Sequence, residues 1–354
     1  MTTTKQVALD EAMIPTARGD TIPASELGFT HSAELIIQTT EELKDNWPDE
    51  TWASRPEEEQ IARVVDILNA AYEGGVNTIV DRTIVGIGRN VERIHKVARR
   101  TKMNILICSG IYTLYDLPYF FRYRKDKPED FPNSKKLEDY IVQDVLVGIN
   151  RTNIRAAAIK VMSDKFGLEE TPDLRGLFKA CSVAHRRSGA PLTTHGLGVP
   201  GALLHQKIFA EEGVDLTRVA LCHMDRSPAA TRLEDFERVL DQGSFISFDG
   251  WFPAEETNVL ASDSTTPEQS FDRIVELVGK GYGGQILLAG GWPIAYQDCF
   301  PDSFGIKDGI APYMRVKQQV IPELKARGLS NDQIHAMTNT NPQRWAATLA
   351  LGEY

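Results

Sequence analysis

Apolar positions along this chain fall into two alternating rhythms. A short apolar run is followed each time by a longer stretch in which apolar residues return every third or fourth position. The first run, Phe29 to Ile37, leads into a polar loop carrying Trp47 and Trp52. Pro56-Glu57-Glu58-Glu59 then opens a helix with acids in its first turn, where the exposed N–H groups favour negative charge. Ile61, Val64, Val65, Leu68 and Tyr72 share one face of that helix, and Gly74-Gly75 ends it. The cadence continues with a strand at 77–81 and a helix at 90–101, then a strand at 104–109, a long loop and a helix at 137–149. The run Ala156–Met162 precedes a helix begun by Thr171-Pro172 and closed by Gly189. Pro191–His195 precedes a helix at 200–212, and Arg218–His223 one at 230–242. Ser244–Asp249 precedes a helix capped by Thr266-Pro267, and Gln285–Ala289 precedes the C-terminal helices of 305–354. Residues 1–28 read as an N-terminal arm or hairpin turning into the first strand.

Strands alternating with helices imply a parallel sheet, and eight such units over roughly 260 residues predict a closed (β/α)8 TIM barrel. The expected class is therefore α/β, with one domain spanning 1–354. A doubly wound open sheet is the structural alternative, but no GxGxxG turn follows the first strand. In a barrel, residues at the C-terminal ends of strands converge on one mouth.

One residue there is chemically out of place. Lys160 lies near the end of the run Ala156–Met162. Burying an ammonium without a partner costs several kcal/mol, so Lys160 must be neutralised, paired or coordinated. The bland alternative is a stem packed in the barrel with its head reaching water. His195 and His223 end the next two strands, and neutral imidazoles are good ligands for zinc and similar ions. Asp81, Asp225 and Asp249 also lie near strand ends, where each could serve as a base or merely cap a loop.

The formal charge of −10 argues against a nucleic-acid surface as the main business. Cys108, Cys181, Cys222 and Cys299 are widely spaced, which suggests a reducing compartment and no disulfide framework. No apolar leader precedes residue 20 and no run of 18 apolar residues occurs, so a cytoplasmic protein without a membrane span is expected.

Several stretches resemble the phosphotriesterase family of the amidohydrolase superfamily. They are Thr16-Ala17-Arg18-Gly19, Glu26-Leu27-Gly28-Phe29-Thr30, Ile87-Gly88-Arg89-Asn90-Val91, Ile159-Lys160-Val161, Thr193-Thr194-His195, Cys222-His223 and Thr340-Asn341-Pro342. Gly110-Ile111-Tyr112, Asp116-Leu117-Pro118-Tyr119-Phe120 and Gly243–Asp249 are similar to its lactonase branch. The resemblance implies a two-metal site in which a carboxylated strand-4 lysine bridges the ions. Lys160 occupies that place, and His195 and His223 match the histidines of the second metal. It also implies a small-molecule substrate and a homodimer.

The other metal's ligands are missing. The family carries His-x-His on strand 1, where this chain has Ala33 and Leu35, and a strand-8 aspartate, where it has Gly291. Apolar side chains cannot coordinate a divalent ion, so an ordinary binuclear centre is not expected. His31, two positions before Ala33, is predicted by strand periodicity to share its face, one step further down. Glu34 is expected in the sheet–helix layer, structural or paired. Tyr112 is expected to orient a substrate carbonyl, with Trp251, Trp292 and Asp249 lining the pocket. An arginine follows the strand-7 aspartate in the lactonase-like branch, and Gly250 stands here.

Three readings are open. One is a hydrolase of a lactone, ester or phosphoester with a single zinc, manganese or cobalt ion on Lys160, His195 and His223, and Asp225 or His31 accepting a proton. A second is a metal-independent enzyme using an uncarboxylated Lys160 with the two histidines on a hydrophobic substrate. The third is a non-catalytic binding barrel, or a variant stripped of its ligands.

Overall fold

The structure is a computed structural model, and it describes residues 8–50, 56–126, 128–130, 135–163, 167, 170–251, 265–290, 293–296 and 313–352. The expected hairpin is present: β1 (Met13–Pro15) and β2 (Thr21–Pro23) pair antiparallel, with Ile14 opposite Ile22. The first stave of the barrel, β3 (Thr30–Gln38), leads to α1 (Glu41–Asn46) and α2 (Glu57–Glu73). The second stave β4 (Thr78–Asp81) precedes α3 (Val91–Ala98). Next come β5 (Asn104–Gly110), α4 (Tyr119–Asp126) and α5 (Leu137–Leu146). The fourth stave β6 (Ala158–Met162) precedes α6 (Pro172–Ser188), and β7 (Leu192–His195) precedes α7 (Gly198–Glu211). The last three staves are β8 (Val219–Leu221), β9 (Phe245–Phe248) and β10 (Ile286–Leu288), with α8 (Leu233–Leu240) and α9 (Pro267–Gly279) between them. A short strand β11 (Pro293–Tyr296) follows, then α10 (Ile321–Ala326), α11 (Asn331–His335) and α12 (Asn341–Ala346).

The eight staves pair in parallel in chain order, and β11 pairs with the far end of β3, Pro293 against Leu35. This is the predicted (β/α)8 barrel, nearly closed. The strands read as almost unbroken apolar runs because both faces are covered. Alternation still sorts them. Ile79, Ile105, Ile107, Ile159, Val161, Leu192 and Ile246 face the helices, packing with Leu68, Ile94, Leu177 and Ile274. Val80, Leu106, Cys108, Ala158, Ala220 and Leu287 face inward and pack with Ile14, Leu27 and Trp345. The Trp345 indole donates to the Leu192 carbonyl (3.2 Å), so α12 floors the barrel at the N-terminal end of its strands. The opposite end is left for chemistry.

Strand β3 departs from simple periodicity. Its register against β4 shifts between His31 and Glu34. His31 consequently faces outward, with its ring 5.7 Å from that of Phe29 and 6.3 Å from that of Tyr313. Ala33 faces inward, with Cys222 and Ala289. The two residues do not share a face, as strict period-2 geometry had predicted. Glu34 is paired, as expected: it is fully buried, lies 2.5 Å from the His31 Nδ1 and accepts from the Gly290 backbone N–H (2.5 Å).

A candidate active site at the barrel mouth

Lys160 sits between the outward-facing Ile159 and Val161, so its side chain enters the barrel, where it is buried. Its Nζ donates to the Arg82 carbonyl (3.1 Å) and lies 5.0 Å from the centre of the Tyr112 ring. Gly110 makes room beside it. At φ +132, any Cβ there would stand 2.0 Å from the Lys160 carbonyl oxygen. Burial, and then the neighbouring Arg82 charge, lower the Lys160 ammonium to about 7.

His195 ends β7, and the Tyr112 ring meets it edge-on at 5.6 Å. His223 follows β8 in a left-handed conformation (φ 64), uncommon for a residue with a side chain. Its Nε2 lies 2.8 Å from His195 Nδ1. On the other side of the ring, Asp249 Oδ1 accepts from the His223 backbone N–H (3.1 Å) and from its Nδ1 (2.6 Å). A carboxylate only accepts, so the His223 proton sits on Nδ1 and Nε2 presents a lone pair. Burial, followed by the Arg226, Arg82 and Lys160 cations, holds His223 well below the ordinary histidine range and thus neutral. The Asp249 N–H is in turn held by Asp225 Oδ1 (2.9 Å). Burial raises both carboxyls, and Asp249 adds its own repulsion on Asp225.

Tyr112 therefore links Lys160 to the line His195–His223–Asp249 at the C-terminal ends of the staves, with Asp225 bonded to the Asp249 backbone. Other candidates lie elsewhere. His31 lies on the helix side of β3, bonded to Glu34, and is not at the mouth. Trp251 is stacked on Phe271 at 5.0 Å in the helix layer, its indole donating to the Phe248 carbonyl, away from the histidines. Asp81 also faces outward, its Oδ1 accepting from the Thr83 hydroxyl (2.6 Å) and N–H (3.0 Å) and from the Ile36 N–H (3.3 Å). Trp292 and Gly291 lie outside the described residues.

Arg82 was not foreseen. It follows Asp81 and shares the inward parity of Val80, and that alternation is the signal that could have found it. Its guanidinium is buried inside the barrel, donating to the Thr194 carbonyl (3.1 Å) and the Thr193 hydroxyl (3.4 Å). Its Nη2 stands 4.0 Å from Asp249 Oδ2.

A sequence model of the phosphotriesterase family matches residues 12–346. The chain belongs to the phosphotriesterase family. It is 33% identical over 337 residues to a phosphotriesterase homology protein of Mycobacterium tuberculosis, covering 93% of this chain and 96% of that one. It is 25% identical over 346 residues to an aryldialkylphosphatase of Saccharolobus solfataricus, covering 94% and 99%. An N-acetyltaurine hydrolase of Danio rerio is 25% identical over 294 residues, covering 81% and 78%. The solved structure of the phosphotriesterase from Mycobacterium tuberculosis superposes with a TM-score of 0.83 at 29% identity, over 97% of this chain and all of that one. These phosphotriesterase-family relatives make the chain a member of a hydrolase family.

Phosphotriesterase-family enzymes generally use divalent metals, and the donors here can be tested against that. Two ions do not fit. Ala33 and Ala289 offer no donor, burial pushes the Cys222 thiol beside them up to about 11, and the Arg82 guanidinium bonds the Thr193 hydroxyl that touches Cys222. One ion suits the other side chemically. His195 and His223 bring their ring nitrogens together, and a carboxylate on the far nitrogen of a ligating histidine is the usual means of orienting it. Among the described residues no group of three or more His, Cys, Asp or Glu side chains forms a metal-ligating cluster, and Lys160 is the further ligand that the family resemblance implies.

Proposed function

We propose that this chain hydrolyses an ester, lactone or phosphoester at the Lys160–His195–His223 opening, with at most one divalent ion, zinc, manganese or cobalt. The observation that carries the reading is the hydrogen-bonded line Asp249–His223–His195, which ends beside Tyr112 and Lys160. When bound, an ion would make a coordinated water more acidic and polarise a substrate oxygen. Asp249 keeps the His223 proton on Nδ1 and fixes the ring plane. Asp225 holds the Asp249 backbone in place and, with its raised affinity for protons, can store one. The Tyr112 ring lies beside both His195 and Lys160, where it would orient a substrate. A carboxylated Lys160 would complete the ligand set as an anion.

One observation favours a metal-independent variant of the same chemistry. A free Lys160 amine titrating near 7 can take a proton from water or attack a carbonyl itself. We place the protein in the cytoplasm, which the three buried free thiols among the described residues suit, and expect a homodimer on the family resemblance. Among the described residues no helix is long and apolar enough to cross a membrane.

Elemental analysis of purified protein, with turnover assayed before and after chelation, tests the proposal. The panel includes a lactone, an aryl ester, a phosphotriester and an N-acyl amide. One equivalent of metal with chelator-sensitive turnover supports the single-ion reading, and metal-free, chelator-resistant turnover supports the amine. Turnover that survives Lys160→Ala removes Lys160 from the mechanism, and no turnover on the whole panel refutes the hydrolase.

A further inference from the structure

The half of the mouth that has lost its ligands still holds a positive charge. Arg82 reaches in from the end of β4, buried, within electrostatic reach of Asp249, Cys222, Cys108 and Glu34. Cys222 lines the same small cluster as Ala33, the position where the family places a histidine ligand. The guanidinium is anchored at one end only. Nη1 is fixed to the β7 backbone at Thr194, while Nε makes no hydrogen bond. Across from it, Asp249 Oδ2 has only the Ser247 hydroxyl near it, and its nearest approach to the guanidinium, 4.0 Å, is longer than a hydrogen bond. Two buried, oppositely charged groups with unused hydrogen-bonding capacity are costly unless something polar completes them. A ligand oxygen accepting from Nε satisfies the arginine, and a water or hydroxyl donating to Oδ2 satisfies the aspartate.

The geometry points to Arg82 as the resident cation of the side whose residues cannot hold a second ion, binding there the anionic oxygen of a substrate or product. The ligand class is a tetrahedral or planar oxyanion, such as a phosphate ester or carboxylate. Arginine suits this role because its planar fork carries a permanent charge and several donors. Its part in turnover rests on the hydrolase reading, whereas its binding of an oxyanion does not.

The test uses inorganic phosphate and the full-length protein. Binding is followed by calorimetry before and after treatment with a chelator. Phosphate is expected to bind equally in both, and R82Q to weaken it by about tenfold to a hundredfold, the usual effect of deleting a charged donor. R82K retains the charge and is expected to fall between the two. A direct measurement needs no variant: an arginine Nε–H resonance should move as phosphate is added. No binding to the wild-type protein, binding that disappears with the metal, equal binding by R82Q, or no shifted Nε–H resonance each overturns the proposal. Arg82-dependent phosphate binding without turnover on any substrate would retire the hydrolase reading and leave the anion site standing. Turnover with Arg82-independent binding would do the reverse.

Discussion

Replacing Lys160 by methionine should remove a specific piece of the pH dependence of folding. In the unfolded chain this lysine titrates at its ordinary 10.5, and in the folded protein burial lowers it to about 7. Between those values the unfolded chain binds more protons, so stability rises with pH across that interval. Below pH 7 both states are protonated and the cost of burying the charge is constant, about 5 kcal/mol. From pH 7 to 9 the wild-type protein should gain about 2 kcal/mol from this group alone. The window is well isolated. His185, His205 and His223 are pushed down by burial and act below the ordinary histidine value. Asp81 acts between 3.8 and about 6, and burial pushes the Cys108, Cys181 and Cys222 thiols above 9. Lys317, also lowered by burial, is common to both proteins and cancels. The assay is urea unfolding of chelator-treated protein at pH 7, 8 and 9, followed by tryptophan fluorescence, with Lys160→Met alongside. Equal slopes in the two proteins would refute a buried, neutral amine. A flat wild-type profile would mean that the nitrogen carries no titrating proton, as in a carbamate.

Asp249→Asn should leave the fold intact and lower turnover by about tenfold to a hundredfold, because His223 loses the acceptor that sets its tautomer; an unchanged kcat removes the carboxylate–imidazole line from the mechanism. Asp81→Asn addresses a group raised to about 6 by burial. Its folded form holds the proton more tightly, so its contribution is full below 3.8 and lost as pH rises through 6; the asparagine protein should lack that loss, about 2 kcal/mol in urea titrations from pH 4 to 7. Gly110→Ala forces a Cβ against the Lys160 carbonyl at positive φ and should cost more than about 2 kcal/mol by the same assay, and a thermal midpoint within a degree of wild type would contradict the packing described.

The barrel was legible because its two periodicities are clean: short apolar runs for staves, three-four spacing for helices. The heart of the site was legible too. Lys160, His195 and His223 are polar residues at the ends of neighbouring staves, and parallel pairing brings such positions together. Tyr112 joined them, its ring edge-on to His195 just past the end of β5. What could not be read depended on small shifts of register. The irregularity in β3 turned His31 to the helix layer while leaving Ala33 inside. Trp251 lies just beyond a strand end, where alternation no longer dictates direction, and the aromatic ring of Phe271 drew it outward. The Asp81–Arg82 pair shows the opposite error. The acid drew attention as a candidate base, yet it caps a turn on the outer face, while its neighbour, one step along the strand, carries its charge into the mouth.

The closure of the barrel has a mechanical consequence. Seven of the junctions between neighbouring staves are backbone ladders, but among the described residues β10 has no ladder to β3; there the Glu34 carboxylate clasps the Gly290 amide, and β11 continues the pairing further along. A cylinder with a laced seam yields along the lacing when pulled. Under force applied across this junction, or in the first openings sampled by amide exchange, the wall should part between its first and last staves, and Glu34→Gln should bring that parting on at lower load.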